Sequence, residues 1–264
     1  MRNHNEFGKL LRHWREDRRL SQLALANNAE ISTKHLSFLE TGRAAPSREM
    51  IVRLAEELQI PLRQRNALLD AAGYADLYPE RPLGAPGLQL VDEVVRTVLT
   101  GHEPYPAMAI DCCWNIVAMN RAIETLIRSV SRTLLEQPLN AMRIALHPDG
   151  LAPAILNFSA WRTHAFGIIK HRAEATDDPR LVALLNEVQG YQYCHSRMIE
   201  PVVAKEAFAI PLQLATPKGD ISLVTTSMVF GSPRDVTVSE LAIECLFPTD
   251  DASASILRSL AENS

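Results

Sequence analysis

The chain has 264 residues, 47% of them hydrophobic, and a formal net charge of −4 from 27 Lys+Arg against 31 Asp+Glu. That length and apolar content favour two cores over one. No apolar run approaches the ~18–20 residues needed to cross a bilayer, and the amino terminus lacks a signal-peptide apolar stretch, so the reading is a cytoplasmic protein with no membrane insertion. Charge is unevenly spread: residues 1–53 carry ten Lys+Arg against six Asp+Glu, leaving −8 on residues 54–264. A basic amino-terminal part with an acidic remainder fits a small DNA-binding domain joined to a domain with another task.

In chain order, Ser21–Arg43 reads as helix, turn, helix. Ser21 is a good N-cap, Leu23, Leu25 and Ala26 form a small apolar face, and Asn27–Glu30 breaks the period, asparagine tolerating turn geometry. Ser32 caps the next helix. Leu36 and Leu39 fall on one side of it, with Thr33, Lys34, Ser37 and Phe38 on the other, and Gly42 ends it. A helix with small polar and basic residues on its exposed first turn suits the major groove. Pro46-Ser47 starts a fourth helix with Met50, Ile51, Leu54 and Leu58 on its buried stripe, and Pro61 opens a fifth that runs to Gly73.

From about Glu6 to Gly73 the chain resembles the Cro/C1-type (XRE) helix-turn-helix family, on Ser21-Gln22, Ser32, Leu39-Glu40-Thr41-Gly42-Arg43 and Pro46. The resemblance implies phosphate contacts from Gln22 and Arg43, and Ser32, Thr33, Lys34, Ser37 and Phe38 against bases or the sugar-phosphate edge. Phe38 stands where a long polar residue is common, which favours a thymine methyl over hydrogen-bond readout. It also implies an Arg15–Glu40 pair that orients the recognition helix.

Pro79, Pro82, Gly84, Pro86 and Gly87 stud an aperiodic stretch, read as a linker or extended arm. The expected division is 1–78 for the DNA-binding domain, 79–88 for the linker and 89–264 for the second domain. An amphipathic helix ends at Gly101. Strands follow at Ala107–Asp111 and Ile116–Met119 around a Cys112–Asn115 turn, and Asn120 caps a helix. A long helix is predicted over Ala152–Arg172 and another from Asp178-Pro179. Alternation at Phe208, Ile210, Leu212 and Leu214, a turn at Pro217–Asp220 and a return over Ile221–Phe230 give a hairpin. Leu241–Phe247 alternates too, although Glu240–Phe247 also fits a helix, and Asp250–Asn263 closes the chain as a helix. One antiparallel sheet covered by helices follows.

This half is similar to the MmyB-like ligand-binding domains. The likeness rests on Pro104–Ala107, Trp114-Asn115 with Asn120, Leu146–Gly150, Asn157 with Trp161, and Phe230–Thr237, joined through Arg63–Leu69 and Ala71–Tyr74. The fold class expected is therefore an all-α five-helix helix-turn-helix domain plus an α+β PAS-like domain with an antiparallel sheet. The family implies a cavity for a small apolar molecule, with a fatty acid as the best-supported class. Apolar residues predicted to line it are Phe158, Trp161, Ala165, Val224, Met228 and Phe230, beside Thr226, with Arg162, His164, His195 and Arg197 as candidates for a carboxylate end.

Cys112, Cys113, Cys194 and Cys245 have no zinc-type spacing; adjacent Cys112-Cys113 do not form an easy disulfide with each other, and the cysteines read as reduced, small packed residues, with a redox-sensor role as the alternative. Adjacent Cys194-His195 diverge on any regular backbone. With no H-E-x-x-H, no G-x-S-x-G and no phosphate loop, neither catalysis, a cofactor nor a metal is expected. His147-Pro148-Asp149-Gly150 reads as turn chemistry. The expected protein is a homodimeric regulator that binds a double-stranded operator and answers to a small apolar ligand. The alternative is a constitutive DNA-binding protein whose second domain serves only dimerisation or a protein partner.

Overall fold

The computed structural model describes residues 4–192 and 210–262, and the chain divides into two compact units. The first comprises Met1–Arg81 and Ser232–Ser239, the second Pro82–Gly231 and Glu240–Ser264.

Helices α1 (His4–Asp17), α2 (Gln22–Asn28), α3 (Thr33–Glu40), α4 (Arg48–Glu57) and α5 (Leu62–Ala71) build the first unit. The hydroxyls of Ser21, Ser32 and Ser47 accept from the amides of Ala24, His35 and Met50 at 3.0, 3.1 and 3.2 Å, satisfying one orphan donor at each helix start. All five helices close in the same way. The amides of Leu20, Ile31, Arg43, Ile60 and Tyr74 donate to the carbonyls of Arg15, Ala26, Phe38, Ala55 and Leu69. The residue before each has positive φ: Arg19 (54°), Glu30 (54°), Gly42 (71°), Gln59 (49°) and Gly73 (81°). This six-to-one bond requires a left-handed residue. It places that residue at Glu30, while Asn27 and Asn28, expected to make the turn, remain inside α2.

Phe7, Leu11, Trp14, Leu25, Leu36, Leu39, Ile51, Leu54 and Leu68 form the core of this unit. α1 meets α3 at Gly8, where a Cβ would stand 2.5 Å from the Glu40 carbonyl oxygen and 2.6 Å from that of Leu39. Beyond α5, Asn66 Nδ2 donates to the Tyr78 carbonyl at 2.6 Å and Arg63 makes two bonds to Glu80 at 2.6 and 2.8 Å. The amide of buried Val236 donates to the Pro79 carbonyl at 2.8 Å.

In the second unit α6 (Gln89–Gly101) precedes β1 (Ala107–Ile110), β2 (Ile116–Met119) and α7 (Arg121–Ile127). Then come α8 (Ala141–Leu146), α9 (Phe158–Thr176), α10 (Pro179–Gln189), β3 (Leu212–Thr216), β4 (Gly219–Val229), β5 (Ala242–Pro248) and α12 (Asp251–Ala261), while α11 (Val236–Glu240), between β4 and β5 in the chain, belongs to the first unit except for Glu240. The strands form one curled antiparallel sheet in the order β2-β1-β5-β4-β3, the PAS-like arrangement. Of the alternating run before the hairpin turn, Phe208 lies outside the described residues.

The helix predicted over Ala152–Arg172 is interrupted. Ala152–Ala154 is a 3-10 turn containing Pro153, Ile155 bridges Leu214, and the Leu156 amide donates to the Gln213 carbonyl at 2.8 Å. Asn157 donates to the Pro211 carbonyl at 2.7 Å and accepts from the Gln213 amide at 3.1 Å. These bonds hold the segment against the edge of β3, so α9 starts only at Phe158. Helices α8 and α11 were not predicted; at six and five residues they are too short to show a 3.6-residue period.

Each face of the sheet has its own core. Ala107, Ala109, Ile243 and Cys245 pack with Val95 and Leu99 of α6. Ile110, Leu223, Ala242 and Leu246 face α8, α9 and α10. Buried Asn120 locks β1 to α7: its Oδ1 accepts from the amides of Ala107 (3.0 Å) and Ile123 (3.2 Å), and its Nδ2 donates to the Tyr105 carbonyl (2.8 Å).

Candidate nucleic-acid interface and ligand cavity

In the first unit α3 presents one polar and basic side. Ser32, Lys34 and Arg43 are exposed, and Thr33, Ser37 and Phe38 half-buried. Two cations approach the Phe38 ring, Lys34 Nζ at 5.6 Å and Arg43 Cζ at 5.9 Å from its centroid. Three predicted contact residues thus form one patch, in which the ring faces attract the two positive groups.

Behind the patch, Arg15 Nε and Nη2 donate to Glu40 Oε1 and Oε2 at 2.6 and 3.0 Å, and Arg15 Nη1 donates to the Leu20 carbonyl at 2.8 Å. The Glu40 side chain is only 2% exposed. The bond to Glu40 raises the Arg15 pKa against the opposing effect of burial, and a bidentate pair of this kind fixes orientation as well as charge. Gln22 is half-buried and its Nε2 donates to Glu40 Oε2 at 2.7 Å. One N–H of its amide is therefore turned inward, leaving the other for an outside acceptor.

In the second unit a cavity of about 300 Å³ opens between the sheet and helices α7, α8 and α9. Trp161, His164, Ala165, Ile168 and Arg172 enter it from α9, Thr225 and Ser227 from β4, and Glu244 and Leu246 from β5, while Met108, Trp114 and Met142 close the wall. Of the predicted lining residues Trp161, Ala165 and Val224 are present. Phe158 is buried in the core beneath. Arg162 stacks on Phe166 with Cζ 4.9 Å from the ring and donates to the Gln189 carbonyl at 3.3 Å.

Met228 and Phe230 do not line the cavity either. Met228 is opposite Ile243, on the α6 face of the sheet, and Phe230 packs with that face. Side chains alternate along a strand, so a one-residue change of phase moves the whole set across the sheet. The cavity takes mainly the odd-numbered residues of β4, Thr225 and Ser227, which pair with Leu246 and Glu244. His195, Arg197 and the Cys194-His195 pair lie outside the described residues.

Sequence reading missed the cation of this cavity. The Arg172 guanidinium stacks on Trp114, with Cζ 4.3 Å from the ring, and its buried Nη1 has no hydrogen-bond partner among the described residues. Its position was legible as the end of the α9 stripe Trp161, Ala165, Ile168, Arg172. On the facing wall Glu244 accepts from Ser227 Oγ at 2.8 Å. Burial raises the Glu244 pKa, with the Ser227 bond and the Arg172 charge opposing that shift. The cavity is therefore mainly apolar, with a guanidinium nitrogen that has no acceptor among the described residues and a carboxyl group whose burial disfavours its charged form.

His147–Gly150 is a turn in which the Asp149 amide donates to His147 Nδ1 at 3.0 Å and the Gly150 amide to the His147 carbonyl at 2.9 Å. A Cβ at Gly150 would stand 2.1 Å from the Ile144 carbonyl oxygen.

Residues 91–260 match the MmyB-like transcription regulator ligand binding domain. The chain belongs to the MmyB-like transcription regulators. Residues 6–68 match a helix-turn-helix domain. An HTH-type transcriptional regulator of Bacillus subtilis (strain 168), RghRB, is 36% identical over 103 residues, spanning 38% of this chain and 72% of that protein. Two crystal structures of the clp gene regulator ClgR from Corynebacterium glutamicum are similar at 27% and 26% identity. They cover 26% and 38% of this chain and 87% and 94% of theirs, each with a TM-score of 0.24.

This MmyB-like protein is thus a helix-turn-helix transcriptional regulator carrying a ligand-binding domain, a combination that implies DNA and a small ligand as partners. Both families are regulators and not enzymes. No helix among the described residues is long and apolar enough to cross a membrane.

Proposed function

We propose that this cytoplasmic regulator binds a partly palindromic operator as a homodimer and that a carboxylate-bearing apolar ligand, such as a fatty acid, controls the binding. The recognition helices of the two protomers meet successive major-groove faces about 34 Å apart. Lys34 and Arg43 contact phosphates beside Gln22. Ser32, Thr33 and Ser37 face base edges, and Phe38 meets an apolar base group such as a thymine methyl.

The observation that carries the ligand reading is Arg172, a guanidinium whose buried Nη1 has no hydrogen-bond partner among the described residues, inside a mainly apolar cavity. A ligand carboxylate supplies the missing acceptor in a charge-assisted bond, and each methylene buried against Trp161, Ile168 and Met142 contributes about 0.8 kcal/mol.

Chain connectivity supports the coupling. β4 and β5, which wall the cavity, are joined through Ser232–Ser239, a stretch that belongs to the first unit. A difference on the order of 1–3 kcal/mol between liganded and free states suffices for regulation.

Native mass spectrometry of the purified protein tests this reading. The expected spectrum contains a co-purified lipid-sized mass that is lost or reduced in Arg172→Met. A wild-type protein that carries no such mass and takes up no added fatty acid overturns the ligand reading and favours a constitutive binder. In a gel shift, Arg43→Ala is expected to weaken binding similarly across sequences and to lower the salt slope by about one.

A further inference from the structure

The turn between β1 and β2 holds two adjacent thiols, buried but each still 8% exposed. Their sulfurs are 3.7 Å apart, and Arg180 Nη2 donates to Cys112 Sγ at 3.4 Å. Asp178, itself capping α10, holds Arg180 through a 2.6 Å bond. The turn is tightly built: Asp111 Oδ1 accepts from the amides of Cys113 (2.8 Å) and Asn115 (2.9 Å), and Asn140 Nδ2 donates to the Cys113 carbonyl at 2.8 Å. The next residue, Trp114, has φ 62° and is part of the ligand cavity, stacked on Arg172.

We propose that Cys112-Cys113 is a reversible redox site, oxidised by a hydroperoxide to a vicinal disulfide, and that the change reaches the cavity wall through Trp114.

The electrostatics suit one thiolate and one thiol. The hydrogen bond from Cys112 lowers the Cys113 pKa, aided by the Arg180 charge and opposed by burial. The Cys112 thiol is raised by its bond to Cys113 and by burial, with the nearby Glu240 charge acting in the same direction. The thiolate is the reactive form.

In the first step Cys113 sulfur attacks one peroxide oxygen. The S–O bond forms as the O–O bond breaks, and hydroxide leaves to take a proton from solvent. Sulfur is oxidised by two electrons and the peroxide reduced, giving a sulfenic acid. Cys112 sulfur then attacks Cys113 sulfur. The S–S bond forms, the S–O bond breaks, and the departing hydroxyl leaves as water with the Cys112 proton.

Adjacent Cα atoms are about 3.8 Å apart, shorter than the roughly 4.4–6.8 Å span of an ordinary disulfide. The product is strained, and strained disulfides are the readily reduced, regulatory ones. Asp111 and the two thiols also lie close enough together to hold a cation. The Arg180 charge on Cys112 and the hydrogen bonds already made by Asp111 disfavour one.

The test is peptide mapping of the full-length protein after brief exposure to hydrogen peroxide. The wild-type peptide containing Cys112 and Cys113 is expected to lose two hydrogens and to regain them with dithiothreitol. Tryptophan emission should change in parallel. Cys112→Ser should stop at a sulfenic acid that dimedone labels, and Cys113→Ser should react at least tenfold more slowly, with Cys113→Ala as the second variant if serine disturbs folding. A wild-type protein in which both thiols remain unmodified, or in which Cys113 proceeds to sulfinic acid as fast as in Cys112→Ser, overturns the proposal. Neither outcome depends on whether a fatty acid occupies the cavity.

Discussion

The two units solve opposite problems. In the helical unit every large core side chain is within a few percent of complete burial, and the buried charge of Glu40 is matched by Arg15 and Gln22. In the sheet unit a comparable set of apolar residues surrounds a cavity, with a guanidinium nitrogen that has no partner among the described residues. A part that must hold a helix at a fixed angle gains from complete packing. A part that must accept a ligand keeps space and an unmet polar group, at a cost to its own stability.

Breaking the helical unit at its charged centre should have the largest effect. Arg15→Met leaves Glu40 buried with only Gln22 as partner, and loss of one member of such a pair costs about 3–5 kcal/mol. Chemical denaturation should register this, with operator binding lost in parallel. Undiminished stability would mean that the pair is not buried in solution.

Gly8→Ala tests the close approach of α1 to α3. The added methyl meets backbone oxygens, which cannot turn aside as a side chain does, so a loss of about 1–3 kcal/mol is expected. A wild-type melting curve would contradict the contact.

The sheet unit should respond with the opposite sign. Because burial raises the Glu244 pKa, the folded state binds this proton more tightly than the unfolded chain does. Its contribution is largest at acid pH and falls as pH rises through the raised pKa. Glu244→Gln is expected to abolish that fall, so that the variant is the more stable at neutral pH, read from melting curves across pH.

The smallest effect belongs to a helix end. Glu30 is left-handed with a side chain, so Glu30→Gly should stabilise the helical unit by about 0.5–1 kcal/mol. A loss of similar size would show that the added freedom of the unfolded chain outweighs the relieved strain.

Much of this molecule was legible because its signals are local. The serine caps of α2, α3 and α4 and the strands around the Cys112–Asn115 turn depend on residues a few positions apart. So does the patch of Lys34, Phe38 and Arg43. The long helix over Ala152–Arg172 was misread because Asn157 bonds a strand more than fifty residues away. No local period records such a partner. Alternation along β4 identifies two faces but not which one borders the cavity, and Met228 and Phe230 fall on the α6 side.

The order of residues alone determined that a basic helix-turn-helix stands ahead of an acidic α+β half, since caps, periodicity and charge act over one or two turns of chain. Only the folded molecule decided that Arg172 shares a cavity with Glu244, that Arg180 touches Cys112, and that Ser232–Ser239 joins the helical unit. Those outcomes depend on strand register and on contacts between distant segments, where many weak interactions choose together and no short stretch holds the choice.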